Sequence, residues 1–152
     1  MTKKWIPRID RKPNTNLSEK HLKFFHRLLT AVENDDSPIE VADWKKLNCL
    51  KSKLTIESET KNVKIQIPPK IEFGSIYSKV CKSKSRNFLK DLRNAFAHNY
   101  IVVDVQDGQD IIKIALPTKN KKGIKFACYV SFEDLKTVIS IITKSKLTQS
   151  IK

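Results

Sequence analysis

The segment at residues 92–100, which reads LRNAFAHNY, decides the fold of this chain. It closes a longer stretch, 84–99, that contains neither proline nor glycine. Apolar residues recur along that stretch at helical spacing; they are Phe88, Leu89, Leu92, Ala95 and Phe96. At about 100° per residue they cover roughly 120° of a helix surface, the width of a stripe that packs against a core. The stretch therefore predicts an amphipathic helix over 84–99, here called the motif helix.

The polar side of the motif helix carries an arginine and a histidine, Arg93 and His98. These residues are separated by about 140° around the helix and by about 7.5 Å along its axis. Each borders the apolar stripe from a different side, so one helix does not easily aim both side chains at one small target. Two copies of the helix facing each other could do so, each contributing one arginine and one histidine.

The spacing of Arg93 and His98, with Asn94 directly after the arginine, resembles the signature of the HEPN superfamily. These are small, helix-rich prokaryotic domains, many of them metal-independent ribonucleases in toxin–antitoxin, phage-defence and CRISPR systems. Tyr100, two residues after the histidine, is similar to the form found in HEPN toxins paired with a nucleotidyltransferase antitoxin. The resemblance covers 93–100 only, and a helix end that carries an arginine and a histidine by chance is the competing interpretation.

An RNA-cleaving site without a metal needs a proton-transferring group and a positive charge on the phosphate. Histidine suits the first role because its ordinary pKa lies near neutrality. Arginine suits the second because its guanidinium stays charged and matches phosphate oxygens. We therefore assign His98 and Arg93 to catalysis. We add Asn94, which precedes His98 by one turn and is predicted to orient the imidazole or to bind the ribose.

Four neighbouring residues are predicted to assist. Asp91 either supports Asn94 from one turn earlier or pairs with a basic neighbour on the helix. Arg86 and Lys90 extend a positive stripe and are predicted to bind flanking phosphates of the RNA. Tyr100 either stacks on a base or fills the core where helix passes into strand. If a nucleotidyltransferase antitoxin exists, the resemblance makes Tyr100 its target.

Four elements are predicted before the motif helix. A first helix spans 18–33, and its inner face is formed by Leu22, Phe25, Leu29 and Val32. A second helix starts at a capping sequence, 37–40, and runs to about residue 50. Alternation over 61–67 predicts a short strand, and the apolar residues of 73–80 predict a short helix. The histidines of the first helix, His21 and His26, are interpreted as surface or packing residues without a role.

After Tyr100 the apolar periodicity changes from helical to alternating. The change predicts three strands within 100–130, with Asp107-Gly108 as a hairpin turn. A last helix begins at the cap Ser131, and its inner face is formed by Leu135, Val138, Ile139 and Ile142. The predicted fold is α+β and mainly α. It is an antiparallel HEPN-like helical bundle with a small antiparallel hairpin or three-stranded insertion between the motif helix and the last helix.

One domain is expected over 1–152. Its first segment, 1–16, is predicted to be a basic arm that Trp5 and Ile6 anchor to the rest of the domain. The net charge of +14 favours a polyanionic partner such as RNA, although a generally lysine-rich composition is the alternative. The cysteines, Cys49, Cys81 and Cys128, lack zinc-ligand spacing and are interpreted as reduced thiols. With no secretory pattern and no apolar run of about 20 residues, a cytoplasmic protein without membrane contact is predicted.

The sequence thus predicts a metal-independent endoribonuclease of the HEPN type, with no metal or other cofactor. It would act as a homodimer on RNA in a toxin–antitoxin or phage-defence system. A nucleotidyltransferase-like antitoxin or a defence-system protein is the further partner that the resemblance implies. Two alternatives stay open: a non-catalytic HEPN-like RNA-binding or scaffold module, and a basic α+β nucleic-acid binder unrelated to HEPN.

Overall fold

The computed structural model describes residues 3–8, 17–33, 55–58, 67–78, 85–118 and 123–143. Its helices are α1 (Glu19–Glu33), α2 (Ser85–Ala97) and α3 (Phe132–Thr143). Its strands are β1 (Lys4–Trp5), β2 (Thr55–Ser58), β3 (Ile71–Glu72), β4 (Ser75–Ser78), β5 (Ile101–Gln106), β6 (Gln109–Pro117) and β7 (Ile124–Ser131). The predicted second helix, and all of the predicted strand at 61–67 except its last residue, lie outside the described residues.

Helices and strands occupy similar lengths of the described chain, which confirms the α+β class. The motif helix exists as α2, which ends two residues before the predicted boundary. The predicted cap of α3 is also confirmed, since the Ser131 hydroxyl oxygen accepts the backbone N–H of Asp134 at 3.1 Å. The mainly α character and the antiparallel helical bundle stay predictions.

The three predicted strands after the motif helix are present, but they belong to a larger sheet. Its strand order is β2-β4-β7-β6-β5, with every neighbouring pair antiparallel except β2 and β4. The short helix predicted over 73–80 is wrong, because Ser75–Ser78 forms β4 against β7. A brief apolar run fits either a helix or a strand period. Here Ile76 and Tyr77 point to opposite sheet faces, toward two separate clusters.

Each face of the sheet has its own apolar cluster. The larger cluster lies between the sheet and the three helices and includes Ile112 and Ile114 of β6. The smaller cluster covers the other face around Tyr129, whose ring lies 5.8 Å from that of Trp5 and 5.2 Å from that of Phe73. Trp5 therefore packs against the sheet, which agrees with its predicted role as an anchor. Ile6 does not, since it is 44% exposed; successive residues of an extended chain point to opposite sides.

The predicted inner face of α1 is partly wrong. Leu22 is 40% exposed, whereas Phe24, Phe25 and Leu28 are essentially inaccessible to solvent. With the buried His21, these residues follow the i, i+3, i+4, i+7 spacing of one helix face. The prediction missed this face because it placed Leu22 on it and left out Phe24 and Leu28.

Aromatic contacts join α1 to the other two helices. The Phe25 ring stacks on that of Phe96 in α2, with centroids 5.3 Å apart and planes 17° apart. The Phe24 ring meets that of Phe132 in α3 edge-on at 5.4 Å. The N-terminal half of α1 is thereby held against the C-terminal end of α2 and the start of α3.

The first turn of α1 is tied to the sheet through His21. The backbone N–H of Ser18 donates to Nδ1 of His21 at 3.0 Å, so Nδ1 is the acceptor nitrogen. That assignment leaves the proton on Nε2, which donates to Oδ2 of Asp110 in β6 at 3.1 Å. Lys20 also reaches the same carboxylate oxygen, at 2.7 Å. Burial lowers the pKa of His21 from its ordinary value of 6.5, and Asp110 opposes that shift in part.

Replacing Phe25 with alanine should destabilise the protein by about 3–5 kcal/mol, because a fully buried ring leaves a cavity. Leu22→Ala on the same helix should change stability by no more than about 0.5 kcal/mol, since that side chain is largely exposed. Chemical denaturation of both variants measures the difference. Equal losses would mean that the buried face of α1 has been misassigned.

The pH dependence of stability should carry a contribution from His21. Above a pH of about 6.5, His21 is neutral in both the folded and the unfolded chain. It therefore does not make the free energy of unfolding depend on pH in that range. As the pH falls below that value, the unfolded chain takes up a proton that the folded chain does not, so the free energy of unfolding decreases. His21→Gln keeps a donor and an acceptor but cannot titrate, and it should flatten this part of the profile.

Urea denaturation over a pH series measures that change. His26→Gln is the matched control, because His26 is an exposed histidine on the same helix. The control should retain the wild-type decrease. An unchanged slope in His21→Gln would contradict the assignment of His21 as the buried, neutral histidine.

Candidate active site

The motif helix presents its predicted apolar stripe to the core. Leu89, Leu92 and Ala95 are buried, and Phe96 packs against them while partly exposed. The opposite arc of α2 faces outward: Lys90 is exposed and Asn94 half-buried. The side chains of Phe88 and Arg86, the second predicted to bind phosphate, lie outside the described residues.

Asn94 connects the two residues of the motif. Nη2 of Arg93 donates to Oδ1 of Asn94 at 2.7 Å. The backbone N–H of His98 donates to the carbonyl oxygen of the same Asn94 at 3.0 Å. Asn94 thus holds the guanidinium with its side chain and the His98 backbone with its main chain. Its side-chain oxygen is directed to the arginine, whereas the sequence suggested the imidazole or the ribose.

The helix end that carries His98 has a defined backbone geometry. The N–H of Asn99 donates to the carbonyl of Phe96 at 3.3 Å, and that of Tyr100 donates to the carbonyl of Ala95 at 2.7 Å. Asn99 has a left-handed φ of 61°. Together these features form a Schellman motif, in which His98 is the C-cap residue. The helix therefore stops before the predicted boundary, and His98 lies exposed at its end.

Tyr100 joins the motif helix to the sheet. It is partly exposed, packs against the main core cluster and directly precedes β5. This placement agrees with the packing role that the sequence offered for Tyr100. Stacking on a base and modification by an antitoxin stay predictions.

Asp91 occupies a different environment from the one expected for a supporting polar residue. It is 3% exposed, and its Oδ1 lies 3.9 Å from Nζ of Lys125 in β7. That lysine was not among the predicted partners, because the spacing along α2 contains no information about the strand that covers it. A register irregularity in the pairing of β6 and β7, at Leu116 and Pro117, lies close to this lysine. The predicted support of Asn94 by Asp91 stays a prediction.

A second exposed histidine lies close to the motif helix. His26 of α1 places its ring 6.1 Å from that of Phe96, at an angle of 66°. No role was predicted for His26, because this contact depends on how α1 packs on α2. Phe96 follows Arg93 by three residues and lies on the same side of α2. His26 is thus on the Arg93 side of the helix.

Three remaining expectations concern metals, thiols and membranes. In the described part of the chain, no three histidine, cysteine or acidic side chains are placed so that they could hold a metal ion. Cys128 is buried, and burial raises the pKa of its thiol. Within the described ranges, no helix combines the length and apolar character that crossing a membrane requires.

Substitution of Asn99 should test the geometry of the helix end. Asn99→Val should destabilise the protein by about 1–2 kcal/mol, because a β-branched residue fits the left-handed conformation poorly. Asn99→Gly should preserve stability, since glycine adopts the same φ without strain. Thermal unfolding of the two variants provides the comparison. Equal stability of the valine and glycine variants would contradict the left-handed assignment.

Comparison with known proteins bears directly on this site. A family model described as HEPN pEK499 p136 matches residues 13–152, which include the motif helix, the sheet and the last helix. The searches of curated proteins and of solved structures found no match. The family match covers most of the chain, whereas the motif that suggested HEPN covers only its helix end. The chain therefore belongs to the HEPN superfamily, within the family described as HEPN pEK499 p136.

Proposed function

We propose that this protein is a metal-independent endoribonuclease of the HEPN type. The observation that carries the proposal is the outer face of α2, where Asn94 is hydrogen-bonded to both Arg93 and His98. Family membership and the net charge of +14 support it, since a strongly basic surface attracts RNA.

The chemistry follows from the two side chains. Arg93 would bind the scissile phosphate and stabilise the charge that builds on it during the reaction. His98 would transfer a proton to or from the 2′-hydroxyl or the leaving oxygen. Asn94 would act through Arg93, because its side chain positions the guanidinium. The products would be a 2′,3′-cyclic phosphate and a 5′-hydroxyl.

A homodimer is part of the proposal. Arg93 and His98 diverge by about 140° on one helix, so a two-fold axis near the end of α2 would bring residues of two copies to one phosphate.

We extend the proposal to an antiparallel, HEPN-like pairing of α1 and α2, which the stacking of Phe25 on Phe96 supports.

We place the enzyme in the cytoplasm, in a toxin–antitoxin or phage-defence system, since this is the setting that the HEPN resemblance implies. A nucleotidyltransferase-like antitoxin would transfer AMP to Tyr100, and the bulk and negative charge of that adduct would keep RNA away from Arg93 and His98. A non-catalytic HEPN-like RNA-binding or scaffold module is the alternative. It would use the same basic face without cleaving the bound strand.

His98→Ala should lower the rate of RNA cleavage by about 10²–10⁴-fold, because it removes the proton-transferring group. Arg93→Ala should lose a similar factor, largely in the chemical step, because the charge is needed most in the transition state. Single-turnover cleavage of labelled RNA, with a metal chelator present, measures both rates.

Lys90→Ala is the control for general electrostatic attraction. Lys90 is exposed on the same helix. Its loss should weaken RNA binding, by an amount that decreases as salt is raised, and leave the chemical step unchanged.

A substrate with a 2′-deoxy sugar at the cleaved position should not react. Cleavage of that substrate, or a strict requirement for magnesium, would exclude this mechanism, and binding without any cleavage would favour the alternative.

A further inference from the structure

The chain contains three histidines, and the structure separates them by environment. His21 is buried and bonded to Ser18 and Asp110, where it holds α1 to the sheet. His26 and His98 are both exposed. Of the three histidines, these two have imidazoles that a bound RNA strand could reach.

The exposed histidines lie on different sides of the motif helix. His26 contacts Phe96, which is about 60° from Arg93 around α2. On the same helical wheel His98 is about 160° from Phe96. Within one protomer, His26 therefore accompanies Arg93, while His98 is directed away from both.

The proposed reaction transfers two protons. One leaves the 2′-hydroxyl as its oxygen forms a bond to phosphorus. The other reaches the 5′-oxygen as its bond to phosphorus breaks. An imidazole that has taken the first proton is not placed to deliver the second to an oxygen on the opposite side of the phosphorus. A single histidine thus leaves one of the two transfers to solvent.

We propose that His26 of one protomer and His98 of the partner subunit carry out these two transfers at one phosphate. Arg93 of the first protomer binds that phosphate. One imidazole is neutral and takes the proton of the 2′-hydroxyl. The other is protonated and gives its proton to the 5′-oxygen, so that protons and bonds balance over the step. This assignment rests on the proposed ribonuclease function, and it makes each of the two sites of a dimer a composite of both chains.

A mixing experiment tests the composite site. His26→Ala and His98→Ala should each lower cleavage by about 10²–10⁴-fold as pure dimers. A mixed dimer contains one chain of each variant. Because each site takes His26 from one chain and His98 from the other, one site of the mixed dimer lacks both histidines and the other site has both. Equal amounts of the two variants, unfolded and refolded together, should therefore recover about one quarter of the wild-type activity, since half the dimers are mixed and each has one intact site.

The outcomes distinguish this inference from the function on which it depends. Wild-type cleavage by His98→Ala would overturn the proposed function itself. A large loss in His98→Ala with wild-type cleavage by His26→Ala would overturn only the role of His26. Two inactive variants that recover nothing on mixing, although differently tagged copies of the two variants co-purify as mixed dimers, would overturn the assignment to different protomers.

Two controls separate proton transfer from packing and from charge. His26→Phe keeps a ring against Phe96 but has no proton to transfer, so it should be as inactive as His26→Ala while its unfolding midpoint stays at the wild-type value. Lys23→Ala removes an exposed charge one turn earlier on α1. It should change only salt-dependent binding. Full activity of His26→Phe would overturn the proton-transfer role.

A sulphur-containing substrate identifies the acid. RNA with sulphur in place of the bridging 5′-oxygen has a leaving group that departs without protonation. The variant that lacks the acid should cleave this substrate at a rate near that of the wild type, while the other variant stays slow. If neither variant is restored, the two histidines do not share the proton transfers.

Discussion

The stacking of Phe25 on Phe96 is the contact on which the arrangement of the molecule depends. It fixes where α1 crosses α2, and thereby which side of the motif helix is covered and which is left to solvent. With Phe96 held against α1, the residues three positions before and two positions after it are directed to different borders of the exposed arc. The rings of Phe25 and of its neighbour Phe24 also contact that of Phe132 at the start of α3. The three helices therefore meet in one aromatic cluster.

The polar contacts at the start of α1 and at the end of α2 have different functions. At the start of α1, the bonds of His21 to Ser18 and Asp110 join a helix terminus to a strand and remove the imidazole from solvent. At the end of α2, the Schellman motif satisfies the last carbonyls with backbone groups. His98 is therefore not needed for capping by its side chain. One histidine is used by the fold, and another is left at the surface by it.

Much of this architecture can be predicted from the sequence where the apolar pattern is local and long. The stripe of the motif helix, the Asp107-Gly108 hairpin and the Ser131 cap follow from spacing within a few residues, and the structure contains all of them. Two of the failures have long-range causes. The inner face of α1 depends on a partner for His21 in β6, and Asp91 is buried only because β7 brings Lys125 beside it. No pattern within either helix contains that information.

The candidate site shows the same division between local and long-range information. Spacing alone selects Arg93, Asn94 and His98, because a helix end orders them by sequence position. The contact of His26 with Phe96 depends on two helices separated by a long stretch of chain, so sequence spacing could not indicate it. A helix wheel also shows that Arg93 and His98 diverge, but not what lies beside each of them. The packing of α1 supplies that information for Arg93. On the other border, the buried Asp91 lies beside Lys125 of β7, which shows that the sheet approaches there. The motif helix is therefore bounded by α1 on one side and by the sheet on the other, and the proposed contacts with a second copy of the chain and with RNA would use the outer arc between them.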